Sequence, residues 1–594
     1  MEPSACAPKT NVGSTVSSAS QDHNQQASNR IPHYIAADPI ARDAFLKNQN
    51  PGYFETLKSS RMAVFWAVIF AFTIVGEGYD LALMGNFFAL PSFQDLFGSL
   101  PQGRSKKEIP PMWQSLIQCA TLIGQLTAIY ISGLTLDRFG FRKTVLVALS
   151  LVNFFLLVSF FSPEALKVGG SNGGLGMLLA GEFLLGLPWG VFQAAVLPYA
   201  SEIAPSQLRP TLTTFVNMCW LIGQLLATAA IKAVTGVHKL QAFRIPIALQ
   251  WIWPIPIAIC VFLAPESPYW LVRHDRPDKA LKSIKRLDKD HTHAEGTLRV
   301  MELTNKHERE SKGSVEEEKT GGTVVNEVAL ANADTPTTGE AITYMNCFKG
   351  TNRRRTEVVA MLNLTQQLCG SCLMYYSAKL YQKGGIDSTK AFDYTLIQYG
   401  LGIVAIASSW LLLRRLPRRL IWISGVAVSG LLMVGVGVLG FFARGETPSE
   451  DARQAIPWVI VAFLITFTGI YNLSIGPLAY SLASEIPSTR LKSKTVAIGR
   501  STYLVFGLFN LFLTPKMLED KPNGWGLGPS AALVFGAFNL CIFLPWAFLR
   551  LPETKDRSFA EIDLLFKSGV PARQWSTTQV SSLAPPEAER PLSD

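Results

Sequence analysis

The 594-residue chain is 48% hydrophobic and only 16% charged, with a formal net charge of +10. Soluble domains carry about 25% charged residues, so the composition excludes an ordinary soluble globular protein. Nor is the positive balance a nucleic-acid footprint, because the basic residues gather at the ends of apolar runs: Arg138, Arg142 and Lys143; Arg353, Arg354 and Arg355; Arg414, Arg415, Arg418 and Arg419; Arg490, Lys492 and Lys494.

Met1 to about Ser60 is polar, rich in Ser, Asn, Gln and Ala, and lacks a basic-then-apolar secretory pattern. A disordered cytosolic tail over residues 1–60 is expected there. Apolar runs of about 20 residues follow, long enough to cross a bilayer. They centre near Ile69, Leu126, Phe154, Leu185, Leu221, Ile255, Cys369, Ile403, Val434, Phe463, Leu508 and Leu540. The runs are continuous, not alternating, which excludes a membrane β-barrel. The expectation is an all-α, multi-pass membrane protein of twelve transmembrane helices. The clustered basic residues put both termini in the cytosol by the positive-inside rule. The connection 92–112, with Arg104, Lys106 and Lys107, departs from that rule.

The first span contains Val75-Gly76-Glu77-Gly78-Tyr79-Asp80. Three-residue spacing puts the Glu77 and Asp80 carboxylates on one helix face. A carboxylate at bilayer depth is tolerated where it faces a bundle interior or an aqueous path, so these acids read as a protonatable transport site. The second span closes on Gly133-Leu134-Thr135-Leu136-Asp137-Arg138-Phe139-Gly140-Phe141-Arg142-Lys143. Its glycines permit a tight turn, and its acid and bases can form an ion-pair cluster that latches two helix bundles in one state. Arg500 lies inside the apolar eleventh span, either as a counter-charge to the acids or with its head extended to the interface.

The connection 266–355 divides. Pro277–Asp290 and Glu295–Lys312 read as charged amphipathic helices on the cytosolic face, and Lys312–Glu340 as disordered. Ser558–Phe566 reads as one more short helix. The loop helices can brace the two bundles, or the loop can be a passive linker. Cys119, Cys219, Cys260, Cys369, Cys372 and Cys541 lie in apolar spans, so no disulfide framework is implied. Cys369 and Cys372 lack the second half of a zinc site and read as packing residues. No metal, no cofactor and no enzyme activity is expected, since the chain shows no phosphate loop, metal cluster or nucleophile elbow.

The Gly133–Lys143 string resembles the signature between the second and third helices of the major facilitator superfamily. Glu202-Ile203-Ala204-Pro205-Ser206-Gln207-Leu208-Arg209 has an echo in Glu485-Ile486-Pro487-Ser488-Thr489-Arg490, and Pro265-Glu266-Ser267-Pro268 an echo in Pro552-Glu553-Thr554. Both return after about 280–290 residues, the mark of two six-helix bundles, 61–265 and 356–551, joined by the loop 266–355 and followed by a cytosolic tail 552–594. The Pro-Glu-Ser and Pro-Glu-Thr strings are similar to those of the sugar porter family. Pro188-Trp189-Gly190-Val191-Phe192-Gln193, Leu249-Gln250-Trp251-Ile252-Trp253-Pro254 and Asn352-Arg353-Arg354-Arg355-Thr356 resemble fungal maltose and general α-glucoside permeases.

That resemblance implies proton symport of a maltose-like α-glucoside through alternating access, by a monomer in the plasma membrane. Its partners would be a small sugar, a proton and the lipid bilayer, with no nucleic acid. A carrier for a monosaccharide, polyol or other small polar solute, or a secondary-metabolite exporter, stands as the alternative. Asp80 matches the helix-one aspartate of proton-coupled porters, with Glu77, Glu182 and Arg500 as further coupling residues. Gln224, Gln366, Gln367 and Tyr480 match sugar-contacting positions, and Tyr376 and Asn472 join them as candidates. For each intramembrane glutamine, an interhelical hydrogen bond is the other reading. The latch would comprise Gly133, Asp137, Arg138, Gly140, Arg142, Lys143, Glu202, Arg209, Glu485 and Arg490. The chain departs from the family pattern in carrying Glu182 where most sugar porters have arginine, and Gln125 where the subgroup tends to have an acid. Ser371-Cys372 stands where an asparagine is expected.

Overall fold

The computed structural model describes residues 35, 38–49, 53–88, 90–99, 107, 109–205, 207–288, 294–319, 343–375, 377, 381, 388–442, 450–488, 491–518, 525–555, 557 and 559–578. Twelve helical segments of membrane-crossing length occur among them: α1 (Arg61–Phe87), α2 (Pro111–Phe139), α3 (Phe141–Phe160), α4 (Leu166–Ile203), α5 (Arg209–Ala233), α6 (Lys239–Leu263), α7 (Gly350–Leu368), α8 (Ser388–Arg415), α9 (Arg418–Phe442), α10 (Ala455–Glu485), α11 (Lys492–Leu518) and α12 (Gly528–Arg550). Helix α7 is the least apolar of them; it stops at Gly370, where a φ of 109° turns the chain before a short helix Ser371–Tyr375. Large apolar side chains such as Phe154, Ile259, Val404 and Leu431 point outward, as lipid-facing positions require.

Two bundles of six repeat one pattern. In the first, α1 packs on α5, α4 on α2 and α3, and α6 on α3; in the second, α7 packs on α11, α8 on α10, and α9 on α12 and α10. The bundles meet along α2–α11 and α5–α8, two seams related by the same repeat, with α10 against α5 and α4 against α11. Glycines set the closest crossings. A Cβ on Gly124 would lie 2.3 Å from the Phe183 carbonyl oxygen and one on Gly186 2.3 Å from that of Thr121, so α2 and α4 touch backbone to backbone.

The sequence echoes are structural echoes. Glu266 accepts from the Phe141 and Arg142 backbone N–H groups at 2.9 and 3.2 Å, capping the start of α3. Glu553 accepts from Arg418 and Arg419 at 3.2 and 3.0 Å, capping α9 in the same way. Gly140 is obligatory here: its φ is +87°, and a Cβ would lie 2.6 Å from the Glu266 carboxylate. Burial holds the Glu266 carboxyl above its ordinary value, against the pull of its three backbone donors.

Part of the stretch expected to lack order is helical. Pro39–Gln49 and Tyr53–Ser59 are helices, and the first of these packs on the second loop helix through Ile35, Ala41 and Phe45 against Val300 and Leu303. That loop helix runs Ala294–Lys319, past the expected end at Lys312, while the first occupies Pro277–Leu287. An apolar face met by another helix explains the order that low hydrophobicity alone did not foretell. Residues 320–342 lie outside the described residues. A third short helix, Phe559–Lys567, falls where Ser558–Phe566 suggested.

Candidate transport site

Glu77 and Asp80 are 2% and 0% exposed and face the interior of the first bundle, away from lipid. Trp189 Nε1 on α4 donates to Asp80 Oδ2 at 3.0 Å, and Gln250 Nε2 on α6 donates to Oδ1 at 3.0 Å. Gln193 Nε2 donates to Glu77 Oε2 at 2.6 Å. Glu182, also wholly buried, accepts from Thr121 Oγ1 of α2 at 3.0 Å and lies within electrostatic reach of Asp80. Three acids from α1 and α4 thus share one enclosed space, placed by the tight α2–α4 crossing. Arg500 on α11 is buried, not extended to the interface. Its guanidinium lies 5.4 Å from the Tyr480 ring centre and 4.4 Å from that of Tyr503, within electrostatic reach of Glu77. Buried carboxyls opposite a buried guanidinium can take up and release a proton when alternating access changes which of them meet water.

The amide candidates gather less tightly. Gln224 is buried on α5. Gln366 Nε2 donates to the Gly476 carbonyl of α10 at 2.9 Å, the interhelical bond that was its other reading. Gln367 Oε1 is buried with no hydrogen-bond partner, and its amide nitrogen lies 3.1 Å from where a Cβ on Gly507 would be, beside Leu122 of α2 at the α2–α11 seam. Asn472 Oδ1 accepts from Asn217 Nδ2 of α5 at 3.3 Å, across the bundles. Tyr480 is buried under Arg500. Tyr376 and Arg490 lie outside the described residues.

At the end that carries the loop helices, called the loop end, the bundles are tied together. Lys494 of α11 pairs with Asp137 of α2, Lys492 Nζ reaches Ser201 Oγ of α4 at 3.3 Å, and Tyr344 donates its hydroxyl hydrogen to the Tyr130 carbonyl at 2.8 Å, directly over Gly133. Within each bundle, Glu202 pairs with Arg273 at 2.9 Å and Glu485 with Arg418, and each glutamate also accepts from a hydroxyl, Ser267 or Thr554, of the Pro-Glu strings. Arg209 Nε donates to the Ser201 carbonyl at 3.0 Å, and Arg142 reaches the Phe262 carbonyl. Arg138 lies over the neighbouring Phe139 ring, and both Arg138 and Lys143 are exposed where the string turns.

Several residues that contact the candidate residues carried no assignment from sequence: Trp189, Gln193, Gln250, Thr121, Asn217, Tyr344, Lys492 and Lys494. A signal for two of them was present. Glu182, Trp189 and Gln193 fall at intervals of seven and four, one stripe of a helix, matching the stripe made by Glu77 and Asp80. Gln250 sits in a 3-10 turn (Gln250–Ile252) between two helices, where no periodicity could assign it.

Residues 66–566 match the family described as "Sugar (and other) transporter". A maltose permease of Saccharomyces cerevisiae is 34% identical over 537 residues, 90% of this chain and 80% of the relative. A general alpha-glucoside permease of the same organism is 32% identical over 575 residues, 95% of this chain and 85% of the relative. Among solved structures, the proton:xylose symporter XylE with 6-bromo-6-deoxy-D-glucose superposes with a TM-score of 0.67 at 18% identity, over 86% of this chain and 100% of the other. A D-xylose-proton symporter gives 0.57 at 17% identity, covering 84% and 100%. These likenesses show the major facilitator fold.

Proposed function

This chain belongs to the sugar transporter family, whose members are multi-pass membrane carriers and not enzymes, and from that premise we propose that it imports a maltose-like α-glucoside together with a proton. The single observation that carries the coupling is Asp80: a carboxyl wholly enclosed in a membrane-spanning bundle and held by Trp189 and Gln250. Glu77 and Arg500 face one another across the bundles and link proton binding in the first half to the seam with the second. Gln224, Gln366, Gln367, Tyr376, Asn472 and Tyr480 contact the sugar, with amides supplying paired donors and acceptors and tyrosine rings the apolar faces. Asn217–Asn472 and Gln366–Gly476 are the bonds a sugar hydroxyl would replace.

The bonds at the loop end hold one mouth of the path closed and leave entry to the opposite side. The basic clusters at the loop end support a cytosolic placement for it and for both termini, in the plasma membrane. One chain suffices for the path, so a monomer is the working unit. The test is maltose uptake with simultaneous external pH recording, in cells lacking their own α-glucoside carriers. Alkalinisation on adding maltose is expected. Alkalinisation only with glucose would assign a monosaccharide instead, and maltose uptake without alkalinisation would remove the proton.

A further inference from the structure

Helix α7 ends inside the second bundle, where residues 369–374 are buried and the last carbonyls of the helix cannot turn to water. The Cys369 N–H still bonds the Thr365 carbonyl at 3.0 Å, and the chain resumes with the Leu373 N–H on the Gly370 carbonyl at 3.0 Å. Side chains take up carbonyls between the two. Ser371 Oγ donates to the Gln366 carbonyl at 2.7 Å, from just beyond the break. Asn510 Nδ2 of α11 donates to the Gln367 carbonyl at 2.9 Å, and Asn539 Nδ2 of α12 donates to that of Cys369 at 2.9 Å. Both asparagines are buried. We propose that Asn510 and Asn539 are positioning residues of the sugar site, holding the break in α7 so that the Gln367 amide is aimed at a sugar hydroxyl. This deepens the sugar-carrier reading and rests on its assignment of Gln367.

Gln366 already gives its amide nitrogen to the Gly476 carbonyl, whereas Gln367 Oε1 is buried with no partner, an acceptor that a hydroxyl would complete. The two glutamines share the last turn of α7, so a small rotation of that turn swings the Gln367 side chain. Helix α11 meets Gln367 twice. Asn510 takes its backbone carbonyl, and Gly507, one turn earlier on the same face, leaves room for its amide, since a Cβ there would lie 3.1 Å from Nε2. Beyond the turn, a Cβ on Gly370 would lie 2.8 Å from Met433 Sδ of α9. Asn539 stands on a π-helical turn, Phe538–Phe543, between two α-helical stretches of α12. Pro545 follows and has no N–H for the Cys541 carbonyl, which favours the wider turn locally. Asn539 is also backed by α9, where a Cβ on Gly430 would lie 3.0 Å from its own. Helices α9, α11 and α12 thus hold the break from three sides, and Gln366 ties it to α10. Bonds that only close the bundle would leave sugar affinity untouched; bonds that aim Gln367 change it.

The experiment uses the purified full-length carrier with Asn510→Leu and Asn539→Leu, which roughly keep the side-chain shape and lose the donor. With no sugar present, hydrogen exchange over Gln366–Tyr375 should run about tenfold faster in each variant than in the parent. In proteoliposomes without a pH gradient, the KM for maltose counterflow should rise about threefold to tenfold, the worth of one neutral hydrogen bond, while Vmax stays within about twofold. Gln367→Ala should raise KM to a similar extent, and the N510L/Q367A and N539L/Q367A double variants should raise it no further than Q367A alone. Parental exchange in both asparagine variants would overturn the proposal. So would faster exchange beside a parental KM, or double variants whose effects multiply. The asparagines stand on different helices, so misfolding of one variant, seen in its melting temperature, leaves the other to decide. If the parent exchanges glucose and not maltose, the α-glucoside reading falls while the same cycle is read on glucose, which keeps the two failures apart.

Discussion

Replacing Asp137 with asparagine removes the carboxylate that pairs with Lys494 across the two bundles. The Lys494 side chain is 2% exposed and the Asp137 side chain 27%, so the ammonium is left nearly enclosed, with the Tyr344 ring at 5.9 Å as its remaining neighbour of note. Removing one partner of a fully buried pair costs about 3–5 kcal/mol; the partial exposure of Asp137 brings this to about 1–3 kcal/mol. The penalty falls on the conformation in which the loop ends meet, since separation frees Lys494 to water. At about 1.4 kcal/mol per tenfold, the balance should move about tenfold to a hundredfold toward the form open at the loop end. Spin labels on cysteines placed at Arg138 and Arg415, both exposed and on opposite bundles, would read the separation by pulsed electron resonance. A longer-distance population should grow in D137N and shrink again in the charge-exchanged D137K/K494D double variant. If D137N shows the parental distribution and the double variant behaves as the sum of its singles, the pair does not hold the bundles together.

Asp80→Asn should abolish uphill maltose accumulation while leaving counterflow, measured in the same vesicles; parental accumulation would refute its coupling role. Gly124→Ala puts a methyl 2.3 Å from the Phe183 carbonyl oxygen, which forces α2 and α4 apart. Overpacking of this kind costs about 1–3 kcal/mol, visible as a lower melting temperature of the detergent-solubilised protein. Phe559 lies between Arg209 at 3.9 Å and Lys492 at 3.8 Å, one from each bundle. Phe559→Ala should remove about 1–2 kcal/mol of cation–π attraction and speed proteolysis of the chain beyond Leu551. Burial alone would raise the Asp563 carboxyl, but Arg355 at 2.5 Å, and then Lys567, hold it below its ordinary value. Its contribution is therefore complete above the unfolded value of about 3.9 and lost only as pH falls through the lower folded one, so the hydrogen-exchange protection factors in Phe559–Lys567, taken relative to the intrinsic rate at each pH, should not change between neutral and mildly acidic pH.

The twelve spans, the two-bundle repeat and the positions of the acids follow from the sequence, because bilayer thickness imposes a run length and a carboxylate inside such a run has few places to go. The paired Pro-Glu strings announced the repeat, and the structure shows why they recur: Glu266 and Glu553 each cap the third helix of their own bundle. Helical order in Pro39–Gln49 was not legible, because that helix is stabilised by the loop helix it meets and not by its own composition. Likewise nothing in the string Gly133–Lys143 says that Asp137 finds its cation 357 residues away while Arg138 and Lys143 stay in solvent. Which acid faces which partner was decided only by packing. Asp80 accepts from Trp189 and Gln250 because glycine crossings bring α1, α4 and the turn in α6 within hydrogen-bond reach, and three-dimensional proximity of that kind has no period in the chain.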